Sequence, residues 1–194
     1  MKTLIIIPSR MSATRLPGKP LLKINGLSII SHVSKKAFEA NIGDVVVAAE
    51  DQEIVDDVTR NGFNAILTSN KHKTGTDRIY EAFQKLKVTD VDLIMNLQGD
   101  EPAIEIEDII NLNNKMVKNQ SNLGTLASIF EKNKTLESEN VVKVITEKSL
   151  KEDNFPRAIS FLRKSEKRDN IYHHIGIYCY SKDTLQKFFH LNQS

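Results

Sequence analysis

Short apolar runs alternating with segments of helical periodicity fill the first half of this 194-residue chain, and that alternation constrains its fold more than any other feature. Residues 3–8 (TLIIIP) form a continuous apolar run, as a strand buried on both faces requires. Residues 44–50 (DVVVAAE), 64–69 (NAILTS) and 91–98 (VDLIMNLQ) read as further strands. Between them, residues 26–40 place Leu27, Ile30, Val33, Ala37 and Phe38 near helical spacing. Residues 51–62 open on an aspartate able to cap a helix and end on Gly62, and residues 75–87 form an amphipathic helix. Strand and helix in turn, with short connections, specify an α/β fold around a mixed, mainly parallel sheet flanked by helices. Ligands of such sheets bind beyond the carboxyl ends of the strands. The polar residues expected there are Arg10, Glu50, residues 69–76 and Asp100.

After Glu105 the alternation weakens. Residues 106–119 read as a helix, while GTLASIFE and NVVKVITE read as strands whose order suggests an antiparallel or mixed edge. Residues 151–170 look irregular and polar, IYHHIGIYCYS reads as a strand, and the segment from Lys182 onward reads as a helix. No repeat breaks the pattern, so the expectation is one domain over residues 1–194.

Composition narrows the class. The net charge of +2 gives no broad basic field for nucleic acid, and the RKSEKR stretch mixes lysines and arginines with an acid, as a solvated loop does. No run reaches membrane-spanning length, and the opening segment meets Pro8 and Arg10 too early for a signal peptide. The single Cys179 permits no intrachain disulfide, which fits a reducing cytoplasm, and its apolar neighbours mark it as a buried residue rather than a nucleophile.

Four segments carry candidate chemistry. SRMSATRLPGKP places Arg10, Arg15, Gly18 and Lys19 directly after the first strand, where cations and backbone N–H groups meet on a polyphosphate; a solvated cationic loop is the competing reading. It is neither a G-x-x-x-x-G-K-[ST] loop nor a G-x-G-x-x-G fingerprint. NLQGDEP puts Asp100 after a strand end, suited to Mg²⁺ or to a simple turn. HKTGTDR offers His72, Thr74, Gly75 and Thr76 as donors to a base or phosphate, or as a capping turn with Thr74 or Thr76 as the cap. In HHIGIY, alternation sets His174, Gly176 and Tyr178 on one face, and Arg157 is a cation able to meet a carboxylate bidentately or to sit on the surface.

Taken together and in this order, IPSRMSATRLPGKPL, HKTGTDR, NLQGDEP, ENVVKVI, RAIS and HHIGIYCY resemble the 3-deoxy-manno-octulosonate (Kdo) cytidylyltransferase family. The opening motif is shared with other sugar-acid cytidylyltransferases; its combination with TGTDR and QGDEP is more specific to the Kdo enzymes. The resemblance implies a Rossmann-like nucleotide-diphospho-sugar transferase fold, a cytoplasmic homodimer, and CTP and Kdo converted to CMP-Kdo and pyrophosphate with Mg²⁺ for lipopolysaccharide biosynthesis. It implies that Arg10 and Lys19, with Arg15 in the same motif, hold the CTP phosphates. It puts His72, Thr74, Gly75, Thr76, Arg78 and Gln98 on the nucleotide side and makes Asp100 a metal ligand, with Arg10, Lys19 and Asp100 as the catalytic set. Arg157, His174 and Tyr178 fall on the sugar-acid side.

This sequence departs from the family pattern at three points. Thr74 stands where serine is expected, RAISFLR lacks a proline, and neither the E-x-L-E-Q-L-R helix nor the late G-V-D-T, whose aspartate is a second Mg²⁺ ligand, occurs in these residues. The expectation for the 194 residues alone is CTP-phosphate binding with severely reduced turnover. The alternatives are a cytidylyltransferase for another acidic sugar, such as 8-amino-Kdo or a nonulosonic acid, and a non-catalytic CTP-binding remnant.

Overall fold

A computed structural model describes residues 1–12, 16–72, 74–130, 138–164 and 169–191. The chain forms two compact units, Met1–Gly124 with Ile177–Ser194, and Thr125–Gly176.

The first unit holds the parallel sheet. Its strands β1 (Thr3–Ser9), β4 (Gly43–Ala49), β5 (Ala65–Leu67) and β6 (Leu93–Asn96) lie in the order β5-β4-β1-β6, all parallel. The short hairpin of β2 (Lys23–Ile24) and β3 (Leu27–Ser28) occupies part of the segment expected as helix. Helix α1 (Ile29–Glu39) starts after it, capped by the Ser28 side chain accepting from the Ser31 amide. Residues Ile5, Ile6 and Ile7 are fully buried, which is why β1 reads as an unbroken apolar run rather than an alternation. On one face Leu4 and Ile6 pack against Ile79, Ala82 and Phe83 of α3 (Gly75–Leu86) and Leu185 of α5 (Lys182–Leu191). Each such isoleucine contributes about 1.5–3 kcal/mol by leaving water. Helices α2 (Gln52–Arg60) and α4 (Ile106–Asn119) complete the unit.

From β1 the chain steps to β4 and β5 on one side, then returns to β6 on the other. Strands β1 and β6 are paired neighbours, but the connections that follow them run to opposite sides, and a crevice opens between those loops. Gly99 lets the loop after β6 lie close to the end of β1: a Cβ there would sit 2.9 Å from both the Pro8 carbonyl oxygen and Ile30 Cδ1.

The second unit contains the antiparallel strands expected after Glu105. Strand β8 (Lys143–Thr146) pairs antiparallel with both β9 (Ala158–Leu162) and the first part of β10 (Ile171–Ser181). Strand β7 (Leu123–Ser128) also pairs with β10. Strand β9 lies inside the stretch that looked irregular. Its residues Ala158, Ile159 and Phe161 are exposed, so no buried face left an alternation to read. The last residues of β10, Tyr178–Ser181, pair antiparallel with β6 in the first unit. Along β10 the buried positions change parity, from Tyr172 and His174 to Ile177 and Cys179. A single alternating face, as expected for His174, Gly176 and Tyr178, does not describe the burial of this strand.

Candidate functional site: a cationic cleft at the strand ends

A cleft of about 510 Å³ lies over the carboxyl end of β1, lined by Ser9, Arg10, Lys19, His72, Thr74, Gly75, Arg78, Gln98 and Asp100 among others. Three of the sequence segments converge there. The β1 loop is shaped by Gly18, whose φ of 72° is left-handed and whose N–H donates to the Met11 carbonyl at 3.0 Å. That closure delivers Lys19 at the head of a short 3-10 turn, Lys19–Leu21. Lys19 Nζ lies 2.8 Å from Asp100 Oδ2. Arg10 is exposed and lines the cleft, with no acidic partner among the described residues. Arg15 lies outside the described residues.

The turn before α3 is a capping box. Thr74 Oγ1 accepts from the Asp77 amide and Asp77 accepts from the Thr74 amide, both at 3.2 Å, so Thr74 and not Thr76 is the cap. Thr76 lies outside the cleft lining; Gly75 is part of it. Asp51, read as a cap for α2, makes no such bond; its carboxylate instead accepts from the Met11 amide at 2.9 Å.

Arg78 is buried within the cleft lining, and both of its terminal nitrogens are engaged. It donates to Thr68 Oγ1 at 2.7 Å, the Ser69 carbonyl at 3.1 Å and Glu50 Oε2 at 2.5 Å. This geometry makes it a strut as much as a ligand. Glu81 is a partner that no motif in the sequence singled out. Burial raises its pKa, but hydrogen bonds from Lys85, His72 and the Ser69 amide outweigh this and hold the carboxyl at about 2. An ionised carboxylate only accepts, so His72 Nε2, its partner, carries a proton. Beside Asp100, burial first and the Asp100 charge second raise the Glu101 pKa, with Lys19 opposing.

The described residues contain no cluster of three or more histidines, cysteines, aspartates or glutamates arranged for a metal. Mg²⁺ does not require one: it commonly takes one or two protein carboxylates and completes its shell with phosphate oxygens and water. Asp100, more than half exposed at the cleft edge beside Arg10 and Lys19, fits that donor set.

Of the residues expected on the sugar side, Tyr178 belongs to the first unit but not to the cleft lining, and Arg157 and His174 belong to the second unit. Arg157 is exposed just before β9. His174 Nε2 lies 2.9 Å from Thr125 Oγ1, and its ring meets Phe161 edge-on at 4.9 Å. Burial and, next, His173 lower its pKa. Burial raises the pKa of Tyr178 and pushes the Cys179 thiol up to about 12, as for an inert buried cysteine.

A mainly parallel α/β sheet with a cationic cleft at its topological switch point is the architecture of Rossmann-like nucleotide-binding proteins. The chain matches the cytidylyltransferase family model over residues 4–194. The 3-deoxy-manno-octulosonate cytidylyltransferase of Rhodopseudomonas palustris (strain BisB18) is 41% identical over 196 residues, covering 100% of this chain and 79% of that protein. The enzyme of the same name from Rhizobium etli is 39% identical over 98% of this chain and 76% of its own. A solved structure of CMP:2-keto-3-deoxy-manno-octonic acid synthetase complexed with CTP superposes with a TM-score of 0.88 at 33% identity, covering 100% of this chain and 80% of that one. The chain belongs to the cytidylyltransferases, and within them to the 3-deoxy-manno-octulosonate cytidylyltransferase family.

Proposed function

We propose that this chain carries the CTP-binding and transfer site of an enzyme that makes CMP-Kdo and pyrophosphate from CTP and Kdo. The observation that supports the reading best is the placement of Arg10, Lys19 and Asp100 around one cleft at the ends of β1 and β6. In the reaction, the sugar's anomeric hydroxyl attacks the α-phosphorus and gives up its proton to water; the new O–P bond forms as the bond from the α-phosphorus to the oxygen bridging to the β-phosphate breaks, and pyrophosphate leaves. Arg10 and Lys19 neutralise the charge that collects on the leaving group, and alignment supplies most of the remaining acceleration. As Lys19 turns to phosphate, the Asp100 carboxylate is freed. Asp100 would then hold Mg²⁺, which when bound neutralises phosphate charge. His72, Thr74, Gly75 and Gln98 read the nucleoside together with Arg78, and Thr76 completes the turn that carries them. By their chemistry Arg157 suits the sugar's carboxylate and His174 and Tyr178 suit its hydroxyls, with Arg15 assisting at the phosphates.

The wider reading, also a proposal, is a cytoplasmic homodimer serving lipopolysaccharide biosynthesis. No described helix is long and apolar enough to cross a membrane. The test is titration of the protein with CTP, UTP, ATP and GTP, followed by Kdo-dependent pyrophosphate release with Mg²⁺. CTP binding and CMP-Kdo as product are expected. Absence of CTP binding, or product with neuraminate but not with Kdo, would overturn the reading.

A further inference from the structure

One buried carboxylate joins two of the segments that line the cleft. The Glu50 side chain is only 9% exposed, and its two oxygens serve different masters. Oε2 accepts from Arg78 Nη2 at 2.5 Å, and Oε1 accepts from Ser12 Oγ at 2.8 Å. Arg78 belongs to the first turns of α3, directly after the capping box; Ser12 belongs to the loop after β1, two residues beyond Arg10. The same strand end binds this loop twice more. The Glu50 amide donates to the Ser9 carbonyl at 3.2 Å, and Asp51 Oδ2 accepts from the Met11 amide at 2.9 Å. Arg10 is thus exposed at its tip yet flanked by three anchored neighbours, Ser9, Met11 and Ser12.

We infer that Glu50 is a positioning residue that sets the phosphate-binding loop relative to the α3 turn through Ser12 and Arg78. The inference rests on the reading of the cleft as a CTP site, but its structural half does not. The charge of the carboxylate strengthens both contacts. A glutamine can accept from Arg78 and donate to the Ser12 hydroxyl, but it brings no charge to either bond, so Glu50→Gln weakens both arms of the bridge. The loop then samples orientations in which Arg10 and Lys19 no longer converge, and binding of a polyphosphate weakens by the fraction of time that they diverge.

The experiment compares wild type, Ser12→Ala, Glu50→Gln and the double variant. Ser12 is exposed, so Ser12→Ala removes only the loop arm and should leave the melting temperature unchanged. Its CTP dissociation constant should rise about 2- to 10-fold, the net worth of one ordinary hydrogen bond. The KM for CTP should rise by a similar factor while that for Kdo stays put. Adding Ser12→Ala to Glu50→Gln should cost less than it does alone, since both cut the same bridge. Without nucleotide, amide hydrogen exchange at Met11, Ser12 and Gly18 should quicken in Glu50→Gln. Unaltered CTP affinity in Ser12→Ala, with unaltered loop exchange in Glu50→Gln, would overturn the inference. Failure of the wild type to bind CTP would instead overturn the functional reading, leaving the exchange measurement to decide the role of Glu50.

Discussion

Lys19 Nζ stands 2.8 Å from Asp100 Oδ2, an ion pair between the loop after β1 and the loop after β6, 81 residues apart in sequence. Both partners are partly exposed, so the pair itself adds little stability. Its meaning is chemical: in the absence of nucleotide each group satisfies the other, and a polyphosphate competes for the lysine.

From this follows a contrast between two variants. Lys19→Met removes one charge-assisted contact and is expected to weaken CTP binding about 10- to 100-fold. Asp100→Asn leaves Lys19 free, so CTP binding without Mg²⁺ should hold or improve, while Mg²⁺-dependent pyrophosphate release falls. Calorimetry with and without Mg²⁺, beside a pyrophosphate assay, separates the two.

Arg78 and Glu50 form the opposite kind of pair, with side chains 3% and 9% exposed. Removing one partner strands the other in a poorly solvated site. Arg78→Met should cost about 3–5 kcal/mol of folding stability. Arg78→Lys should restore only part of it, because one ammonium cannot span Thr68, Ser69 and Glu50 as the planar guanidinium does. Urea unfolding measures both.

Glu81 predicts an acid-sensitive step. Its folded pKa, about 2, lies below its ordinary 4.5, so the unfolded chain binds more protons in the interval. The stability it contributes is fully present above pH 4.5 and is lost as pH falls toward 2. Glu81→Gln should flatten this part of the pH–stability curve, which urea titrations at pH 5 and pH 3 would reveal.

Ser9 Oγ is the one buried side-chain polar atom among the described residues with no hydrogen-bond partner. A hydroxyl desolvated without compensation opposes folding. Ser9→Ala should therefore raise stability by about 1 kcal/mol, read as a higher melting temperature. A lowered melting temperature would show that the hydroxyl has a partner in solution.

Much of this was legible in the sequence because the first unit obeys local rules. Unbroken apolar runs became β1, β4 and β6 since both faces of a parallel sheet are covered, and helices α3 and α4 began at the residues that their periodicity marked. The β1 loop, the α3 turn and Asp100 could be placed at strand ends by counting along the chain. Strand β9 was not legible, because its exposed side chains leave no periodic signature.

What the sequence by itself determined is the layered α/β fold, the cytidylyltransferase family and the roster of charged residues at the strand ends. Which charges pair was decided only by the tertiary structure. Glu50, Arg78 and Ser12 are separated by 28 and 38 residues from one another's contacts, and Glu81 meets His72 from the far side of a turn. Such pairings depend on strand order and on how closely Gly99 lets two loops approach, and neither is encoded in any local window. The fold thereby made Arg78 a buried strut within the cleft lining, and left Arg10 as the described cleft arginine without an acidic partner.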